Sequence, residues 1–317
     1  MKLAVLDDWQ GVAKSSAPWE RLAPHGVTME VFERPFASED EAAAALAPFD
    51  IVIPTRERTF FPASLITRLP KLRFIAQTGR VPGSLDQEAC RARGIVLTTT
   101  GGDLVPAATG ELAFALLLAC ARGLAAGDAG MRQGRWQDGV PDGMVLEGRT
   151  LGLLGAGRIG ARVAAMGRAF GMRVVAWSQN MTPERAAEAG AIAVDKRTLF
   201  AESDAVSLHV VLSDRTRGIV DAEAIGAMKP GAILINTSRG PLVDEAALLR
   251  ALEQGRIRAG LDVYGTEPVP ADHPIRSAPN TVLAPHLGFS AVPIFRQFYG
   301  EALEAVLAWL AAGAPKA

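Results

Sequence analysis

The chain has 317 residues, which is long for one domain and suits two. Apolar residues make up 49% and charged residues 21%, a balance typical of globular proteins with a substantial core. The 33 Lys and Arg residues against 34 Asp and Glu residues give a net charge of −1, so no global charge favours nucleic acid or an anionic membrane, and we expect neither as a partner.

The cysteines, the N-terminus and the longest apolar run indicate the cellular compartment of the protein. Cys90 and Cys120 fall inside predicted helices, which fits buried thiols in a reducing cytosol better than a disulfide framework or a metal site. The N-terminus enters a strand directly and lacks the apolar core of a signal peptide. The longest apolar run, Leu112 to Ala121, is too short to cross a bilayer and predicts a buried helix. We therefore expect a cytoplasmic protein without a bound metal.

The N-terminal part of the chain alternates short β-type runs with helical stretches. Such alternation predicts a parallel sheet that is covered by helices on both faces. The predicted strands are Leu3–Leu6, Val27–Phe32, Ile51–Ile53, Leu72–Ala76 and Ile95–Leu97, and the predicted helices are Ser38–Leu46, Pro62–Arg68 and Asp86–Arg93.

A long helical stretch follows, from about Pro106 to Ala126, with Gly123 and Gly127 at its end. It is too apolar to lie on a wet surface, so we predict that it is buried. We interpret it as the bridge from a first domain into a second.

A second alternation begins at Leu151 and predicts a doubly wound sheet. Its strands are Leu151–Leu154, Arg173–Trp177, Ala191–Val194, Ala205–His209, Ala232–Asn236, Gly260–Val263 and Thr281–Leu283, and its helices are Arg158–Phe170, Pro183–Ala189, Lys196–Ala201, Asp221–Met228 and Asp244–Gln254. The tail, Val292 to Leu310, has apolar residues at helical spacing and is expected to return to the first domain. The predicted domains are residues 1–100 with 290–317, and residues 101–289.

The first turn of the second alternation carries a glycine fingerprint, G-x-G-x-x-G, at Gly155, Gly157 and Gly160. The first glycine permits the tight turn, the second lets the backbone approach a pyrophosphate, and the third lets the helix pack closely on the sheet. A strand precedes the motif and a helix follows it, so the sequence predicts a dinucleotide site rather than a plain structural turn. The N-terminus of that helix offers N–H groups to the phosphates.

Three polar segments stand at the ends of later strands, on the edge where ligands bind in an open α/β sheet. They contribute Arg239, Glu267 and His286 to that edge. An arginine can hold a carboxylate and polarise the neighbouring carbonyl, a histidine can exchange the hydroxyl proton, and a glutamate can orient the imidazole. Each residue taken singly could instead be structural; their joint placement favours hydride transfer beside a carboxylate.

These segments resemble the D-isomer-specific 2-hydroxy acid dehydrogenase family, which includes D-phosphoglycerate, hydroxypyruvate and glyoxylate reductases. The resemblance covers essentially the whole length and rests on four ordered motifs, G-R-T-L-G-L-L-G-A-G-R-I-G, N-T-S-R-G, L-D-V-Y-G-T-E-P-V-P and A-P-H-L-G. It implies that Arg239, Glu267 and His286 are the catalytic positions. It also implies a Rossmann-type nucleotide-binding domain, a flavodoxin-like substrate domain that the C-terminal helix completes, an active site in the interdomain cleft, and a homodimer.

The resemblance also implies which residues meet a nicotinamide cofactor, NAD or NADP. Beside the three glycines of the turn, they are Arg158 and Ile159 at the pyrophosphate, Thr237, Ser238 and Asp262 on the nicotinamide side, and Gly288 and His209. His209 is followed by Val210 and Val211, so this chain lacks the proline of the family's H-x-P segment.

The chain departs from the family where cofactor specificity is usually decided. The second strand of a fingerprint unit normally ends in an acid that binds the ribose diol of NAD. Here that residue is Ser178, 18 residues after Gly160, and Gln179 and Asn180 follow it. No carboxylate repels a 2′-phosphate and no adjacent arginine attracts one, although Arg185 is a candidate. We predict a relaxed NAD/NADP preference, or else that these residues only shape a surface loop.

A second departure lies in the loop that holds the substrate carboxylate in the family, here Gln77 to Asp86. Val81 replaces a glycine and Pro82 restrains it, so we predict a different loop geometry and a different substrate. Arg80 and Val81 are the candidate substrate-binding residues of this loop, and Arg80 is either an anion contact or a solvated surface charge.

The predicted function is reversible reduction of a small 2-oxo acid to a D-2-hydroxy acid with NAD(P)H. His286 would be the general acid/base, Glu267 would orient it, and Arg239 would bind the substrate carboxylate. The alternatives are a dinucleotide-sensing binding protein, similar to the corepressors of the same family, and formate or phosphite oxidation on the same scaffold.

Overall fold

The structure is a computed structural model and describes residues 1–313. The chain divides into two compact units: Met1–Leu104 with the segment that starts at Ala291, and Val105–Ser290. Each unit contains one wholly parallel sheet, with five strands in the first and seven in the second. The predicted class, two doubly wound α/β domains, is confirmed.

The first unit has the strand order β2-β1-β3-β4-β5, which is the flavodoxin-like order. Its strands are β1 (Lys2–Val5), β2 (Thr28–Val31), β3 (Ile51–Ile53), β4 (Phe74–Gln77) and β5 (Val96–Thr99), and its helices are α1 (Ala13–Ser16), α2 (Glu39–Leu46), α3 (Ala63–Thr67) and α4 (Gln87–Ala92). β3 and β4 are buried throughout, as expected for central strands that are covered on both faces.

The second unit begins with two helices, α5 (Val105–Arg122) and α6 (Leu124–Arg132). Its strands are β6 (Thr150–Leu154), β7 (Arg173–Trp177), β8 (Ile192–Ala193), β9 (Ala205–Leu208), β10 (Ile233–Asn236), β11 (Arg258–Leu261) and β12 (Thr281–Leu283), and its later helices are α7 (Arg158–Ala169), α8 (Pro183–Glu188), α9 (Lys196–Glu202), α10 (Ala222–Ala227) and α11 (Glu245–Glu253). The strand order β12-β11-β10-β9-β6-β7-β8 has its switch point between β6 and β9, as in Rossmann folds.

The long helix predicted over Pro106–Ala126 is wrong in its extent. Helix α5 ends at Arg122, because Gly123 adopts a left-handed backbone with φ +61°, and α6 starts immediately after it. Gly127 lies inside α6 rather than closing a helix. Helix α5 is the first helix of the second unit, where it packs on β10, β11 and α7.

Within residues 1–313, α5 is also the one helix long and apolar enough to cross a membrane by length and composition. Half of it is buried inside the protein, and this buried half includes Phe114, Leu116 and Leu117. Helix α5 therefore has the packing of a core helix.

The C-terminal helix α12 (Val292–Ala311) packs on β4 and β5 of the first unit. The Tyr299 hydroxyl lies 3.0 Å from the Thr55 hydroxyl, and the ring of Trp309 lies 5.0 Å from that of Phe74. Burial raises the pKa of Tyr299 to about 12, so its hydroxyl stays protonated and can donate. Both contacts join α12 to the first unit.

Candidate active site

The glycine turn between β6 and α7 is shaped by close packing. Gly155 has φ +95°, and a Cβ on it would lie 2.9 Å from the carbonyl oxygen of His209. A Cβ on Gly160 would lie 2.3 Å from the carbonyl oxygen of Gly155. Both positions therefore require glycine for the turn itself, as the fingerprint predicts.

Gly157 differs, because a Cβ there would meet nothing within 4 Å. It faces a cleft of about 430 Å³, which is lined by the turn, by the residues after β7 and by the loop after β9. Among residues 1–313, no side chain caps the first turn of α7, whereas α8 and α9 are capped by Thr182 and Asp195, whose side chains accept from the first turn. The N–H groups in the first turn of α7, which include those of Arg158 and Ile159, are therefore available to an anion.

The end of β7 forms a polar, uncharged wall of this cleft, made of Ser178, Gln179 and Asn180. The Arg185 guanidinium does not line the cleft; it donates to the Asn180 carbonyl at 3.0 Å. Arg185 therefore supports the loop rather than offering its charge to a ligand.

His209 follows β9 and lies under the turn, beside Gly160. Burial lowers the pKa of His209 to about 4, so the imidazole is neutral at neutral pH. Its Nε2 lies 2.9 Å from the Ser207 hydroxyl, and its backbone N–H donates to the Leu154 carbonyl. His209 supports the turn as a neutral hydrogen-bonding group.

The segment after β10 is held by Asn236, whose side chain accepts from the Ser238 N–H at 3.0 Å and donates to the Arg239 carbonyl at 2.9 Å. The Ser238 hydroxyl donates to the Val210 carbonyl at 2.6 Å. The Thr237 hydroxyl is buried with no hydrogen-bond partner anywhere in residues 1–313. A buried, unpaired hydroxyl at a strand end is a group that a bound ligand would satisfy.

Arg239 is half-buried, and its Nη1 donates to the Ser238 carbonyl at 2.6 Å. The next residue, Gly240, touches the segment after β11, since a Cβ on it would lie 2.0 Å from the Tyr264 carbonyl carbon. This contact brings the segments after β10 and β11 together, so Arg239 and Glu267 share one edge of the sheet.

Asp262 fixes the turn that carries His286. Its carboxylate accepts from the N–H groups of Leu287 at 2.6 Å and Gly288 at 2.9 Å, and its carbonyl accepts from the His286 N–H at 2.9 Å. These three bonds hold His286 at φ +55°, a left-handed conformation that is unfavourable for a residue with a Cβ. Burial raises the pKa of Asp262 to about 6.

His286 and Glu267 form a hydrogen-bonded pair, with His286 Nδ1 2.6 Å from Glu267 Oε2. The other carboxylate oxygen accepts from the Tyr264 N–H at 2.8 Å, which fixes the glutamate. An ionised carboxylate can only accept, so the Nδ1 hydrogen points at Glu267. Nε2, which has no partner in the part of the chain that the structure describes, is left for a ligand.

Comparison with known proteins identifies the family of this chain. Residues 114–288 match the family model described as D-isomer specific 2-hydroxyacid dehydrogenase, NAD binding domain. The chain belongs to this family of dehydrogenases. The predicted resemblance is confirmed, and so is the prediction of an NAD(P)-dependent enzyme that acts on D-2-hydroxy acids.

Relatives of the dehydrogenase are similar over different lengths. A glyoxylate reductase from Thermococcus litoralis is 44% identical over 71% of this chain and 70% of its own. A D-3-phosphoglycerate dehydrogenase from Mycobacterium bovis is 37% identical over 88% of this chain, which spans only 52% of that protein. A solved phosphoglycerate oxidoreductase from Vibrio cholerae has a TM-score of 0.92 and 36% identity, covering 99% of this chain and 100% of its own.

The loop from Gln77 to Asp86 belongs to the first unit of the dehydrogenase. Arg80 is exposed, whereas Val81 packs its side chain against the apolar core of that unit. The Val81 side chain is therefore partly buried, and its backbone lies next to Arg80. Gly79 has φ +73° and donates its N–H to the Thr100 hydroxyl at 2.8 Å, and its α-carbon packs on the Arg56 guanidinium.

Two features of the dehydrogenase's site escaped the sequence reasoning. Tyr264 holds Glu267 through its backbone N–H, and its hydroxyl donates to the Ala284 carbonyl at 2.9 Å. Burial raises the pKa of Tyr264, so that hydroxyl remains a donor. Arg215 lines the cleft beside Ser178, although it comes 37 positions later in the chain. A motif search around Ser178 could not reveal this arginine.

Proposed function

We propose that the enzyme reversibly reduces a small 2-oxo acid to a D-2-hydroxy acid with a nicotinamide cofactor. The observation that carries the proposal is the His286–Glu267 pair, whose free Nε2 lies at the same sheet edge as the glycine turn. In the reduction, His286 Nε2 donates a proton to the carbonyl oxygen of the substrate. In the oxidation, the same atom takes the proton of the hydroxyl. Glu267 keeps the imidazole oriented and stabilises its protonated form.

Arg239 is the proposed anchor for the substrate carboxylate. Its guanidinium can form two parallel hydrogen bonds to a carboxylate, and its charge polarises the adjacent carbonyl. Arg80 of the first unit is a candidate second contact, with the backbone of Val81 beside it.

The residues around the turn fit a nicotinamide dinucleotide. The N–H groups of Arg158 and Ile159 would meet the pyrophosphate, Ser178 the adenosine ribose, and Thr237 the nicotinamide side. The buried Thr237 hydroxyl has no hydrogen-bond partner within residues 1–313. Ser238, Asp262 and Gly288 would complete that side. When bound, the cofactor supplies or accepts the hydride at C2 of the substrate.

Gly157→Ala tests the fit of the cofactor to the turn. Gly157 has φ −74° and open space around it, so alanine should fold without strain, and we expect a melting temperature within about 3 °C of wild type. The added methyl occupies the approach of the pyrophosphate, so the Kd for NADH and NADPH should rise at least about tenfold. Calorimetry measures both quantities. Gly226→Ala, in α10 with equally open surroundings, is the matched control and should leave both Kd values unchanged. An unchanged Kd in Gly157→Ala would contradict the proposed cradle.

A panel assay tests the reaction. Small 2-oxo acids are offered with NADH and with NADPH, and D- and L-2-hydroxy acids, formate and phosphite with the oxidised cofactors. Turnover of a 2-oxo acid and of the D-hydroxy acid alone supports the proposal. Turnover of formate or phosphite only, or cofactor binding without any turnover, would favour the alternative functions, which the reductase and dehydrogenase names of the relatives do not favour.

We also propose a cytoplasmic homodimer. Apolar side chains of the second unit stay exposed in the single chain between residues 124 and 145: Leu124 at 63%, Met131 at 54%, Trp136 at 72% and Val145 at 70%. A cluster of large apolar side chains along one segment is typical of a subunit contact. Sedimentation velocity should give a dimer for the wild type and a monomer for the Trp136→Ser, Val145→Ser double variant; a monomeric wild type would refute the homodimer.

A further inference from the structure

The cleft beside the glycine turn has a second wall, which is the loop after β9. Val211, Ser213, Arg215 and Thr216 of this loop line the cleft together with Ser178, Gln179 and Asn180. Part of the cleft lining is therefore formed by residues outside the β6–α7–β7 segment that carries the glycine fingerprint.

This loop is held in place by hydrogen bonds. The Thr216 hydroxyl accepts from the Ser213 N–H at 2.8 Å and donates to the Val211 carbonyl at 2.7 Å. The Gln179 side-chain amide donates to the Arg215 carbonyl at 3.3 Å and so ties the loop to the end of β7. The backbone of Arg215 is thus fixed next to the residues that follow β7, while its side chain is exposed.

The charge that lines the cleft is positive. Its lining residues within 1–313 include no carboxylate, and the single charged side chain among them is Arg215. The guanidinium of Arg215 makes no hydrogen bond or ion pair with the described part of the chain. Arg185, which follows Asn180 in the chain, already donates to the Asn180 carbonyl. An anionic ligand group in this part of the cleft would therefore meet Arg215.

We propose that Arg215 binds the 2′-phosphate of NADP(H), so that the enzyme prefers the phosphorylated dinucleotide. This inference rests on the proposed function, because it places the adenosine end of the cofactor at the end of β7. A phosphate monoester carries about −1.5 to −2 charges at neutral pH, and an arginine can hold it in two parallel hydrogen bonds. Ser178 and Asn180 add neutral donors. NAD(H) offers no anion there, and leaves Arg215 in water.

The test uses two nucleotides that differ only in the group in question, AMP and adenosine 2′,5′-bisphosphate, and calorimetry on the full chain. Because a hydrogen bond to a charged group contributes about 1.5–3 kcal/mol, the wild type should bind the bisphosphate about 10- to 100-fold more tightly than AMP. Arg215→Ala should reduce that ratio to within about threefold of unity, and Arg215→Lys should retain part of it as a point charge. Arg217→Ala, on the same loop but outside the cleft lining, should keep the wild-type ratio. The preference for NADPH over NADH, measured as the ratio of their Kd values, should be largest in the wild type and Arg217→Ala, smaller in Arg215→Lys and smallest in Arg215→Ala.

The outcomes separate the inference from the function on which it rests. Equal wild-type affinity for the two nucleotides overturns the inference and leaves the relaxed preference predicted from Ser178. A wild-type ratio that Arg215→Ala does not lower overturns the role of Arg215. In both cases the dinucleotide site stands. Failure of AMP, the bisphosphate, NADH and NADPH all to bind overturns the cofactor site and the proposed function with it.

Discussion

His286→Ala should lower kcat for reduction of the preferred 2-oxo acid by about 10²- to 10⁴-fold, the range typical of a lost general acid. The reason is that Nε2 of His286 is the atom left free by the Glu267 hydrogen bond, so the developing alkoxide would otherwise take its proton from water. The Kd of the cofactor should change by less than about threefold, because His286 is not part of the pyrophosphate cradle. Stopped-flow single turnovers and fluorescence titration measure the two quantities.

A second histidine offers a matched control for this experiment. His273 also lies beside a glutamate, with Nε2 3.2 Å from Glu245, but it stands at the start of a 3₁₀ turn, Pro274–Ser277, and is not part of the His286–Glu267 pair. His273→Ala should keep kcat within about twofold once the folded fraction is equal. Glu267→Gln should fall between the two, since the amide oxygen still accepts from Nδ1 but no longer stabilises the imidazolium. If His286→Ala retained more than about a tenth of the wild-type kcat, the assignment of His286 as acid/base would be wrong.

Arg239→Ala should lower kcat/KM for a 2-oxo acid by about 10²- to 10⁴-fold, since two charge-assisted hydrogen bonds to the carboxylate disappear at about 1.5–3 kcal/mol each. The loss should be confined to substrates with a carboxylate. A ketone in which an ester or a methyl group replaces the carboxylate should react at nearly the same low rate with both enzymes. The measurement is therefore the ratio of kcat/KM for acid and neutral analogue in each enzyme.

Arg239→Lys separates the charge of Arg239 from its geometry. Lysine keeps the positive charge but cannot form two parallel hydrogen bonds to a carboxylate. The kcat/KM of Arg239→Lys should therefore be about tenfold higher than that of Arg239→Ala and still below that of the wild type. The cofactor Kd should again stay close to that of the wild type. If the ratio of kcat/KM for the 2-oxo acid and its neutral analogue were the same in Arg239→Ala and in the wild type, another group, such as Arg80, would bind the carboxylate.

Much of the fold could be predicted because its strands are short buried runs. β3 and β10 are buried at every position, and such apolar runs between helical stretches stand out in the sequence as strands of a parallel sheet. Helix starts were also marked in the sequence. Asp86, Asp221 and Asp244 cap α4, α10 and α11 with side-chain hydrogen bonds to the first turn.

The break between α5 and α6 could not be read in the same way. Alanine and leucine continue on both sides of Gly123, and the composition alone favours one helix. The break depends on the left-handed backbone of Gly123, and a Cβ there would lie 2.9 Å from the Pro141 ring. The left-handed backbone and this close approach to Pro141, a residue outside both helices, require glycine at the break.

In the candidate site, too, some features follow from the sequence and others only from the tertiary structure. The sequence by itself determined the glycine turn and placed Arg239, Glu267 and His286 after strands, because the carboxyl ends of parallel strands lie on one edge of a sheet. These inferences need only short-range patterns and one rule of sheet geometry.

The tertiary structure alone decided how these segments are held and which residues line the cleft beside the glycine turn. The order β12-β11-β10 lets Asp262 reach the N–H groups of Leu287 and Gly288, which fixes His286 in its left-handed conformation. The pairing of β9 with β6 brings the Arg215 loop to the end of β7, where the sequence showed only the neutral Ser178. Such contacts join residues far apart in the chain, and their partners are set by strand order, which local residue preferences do not specify.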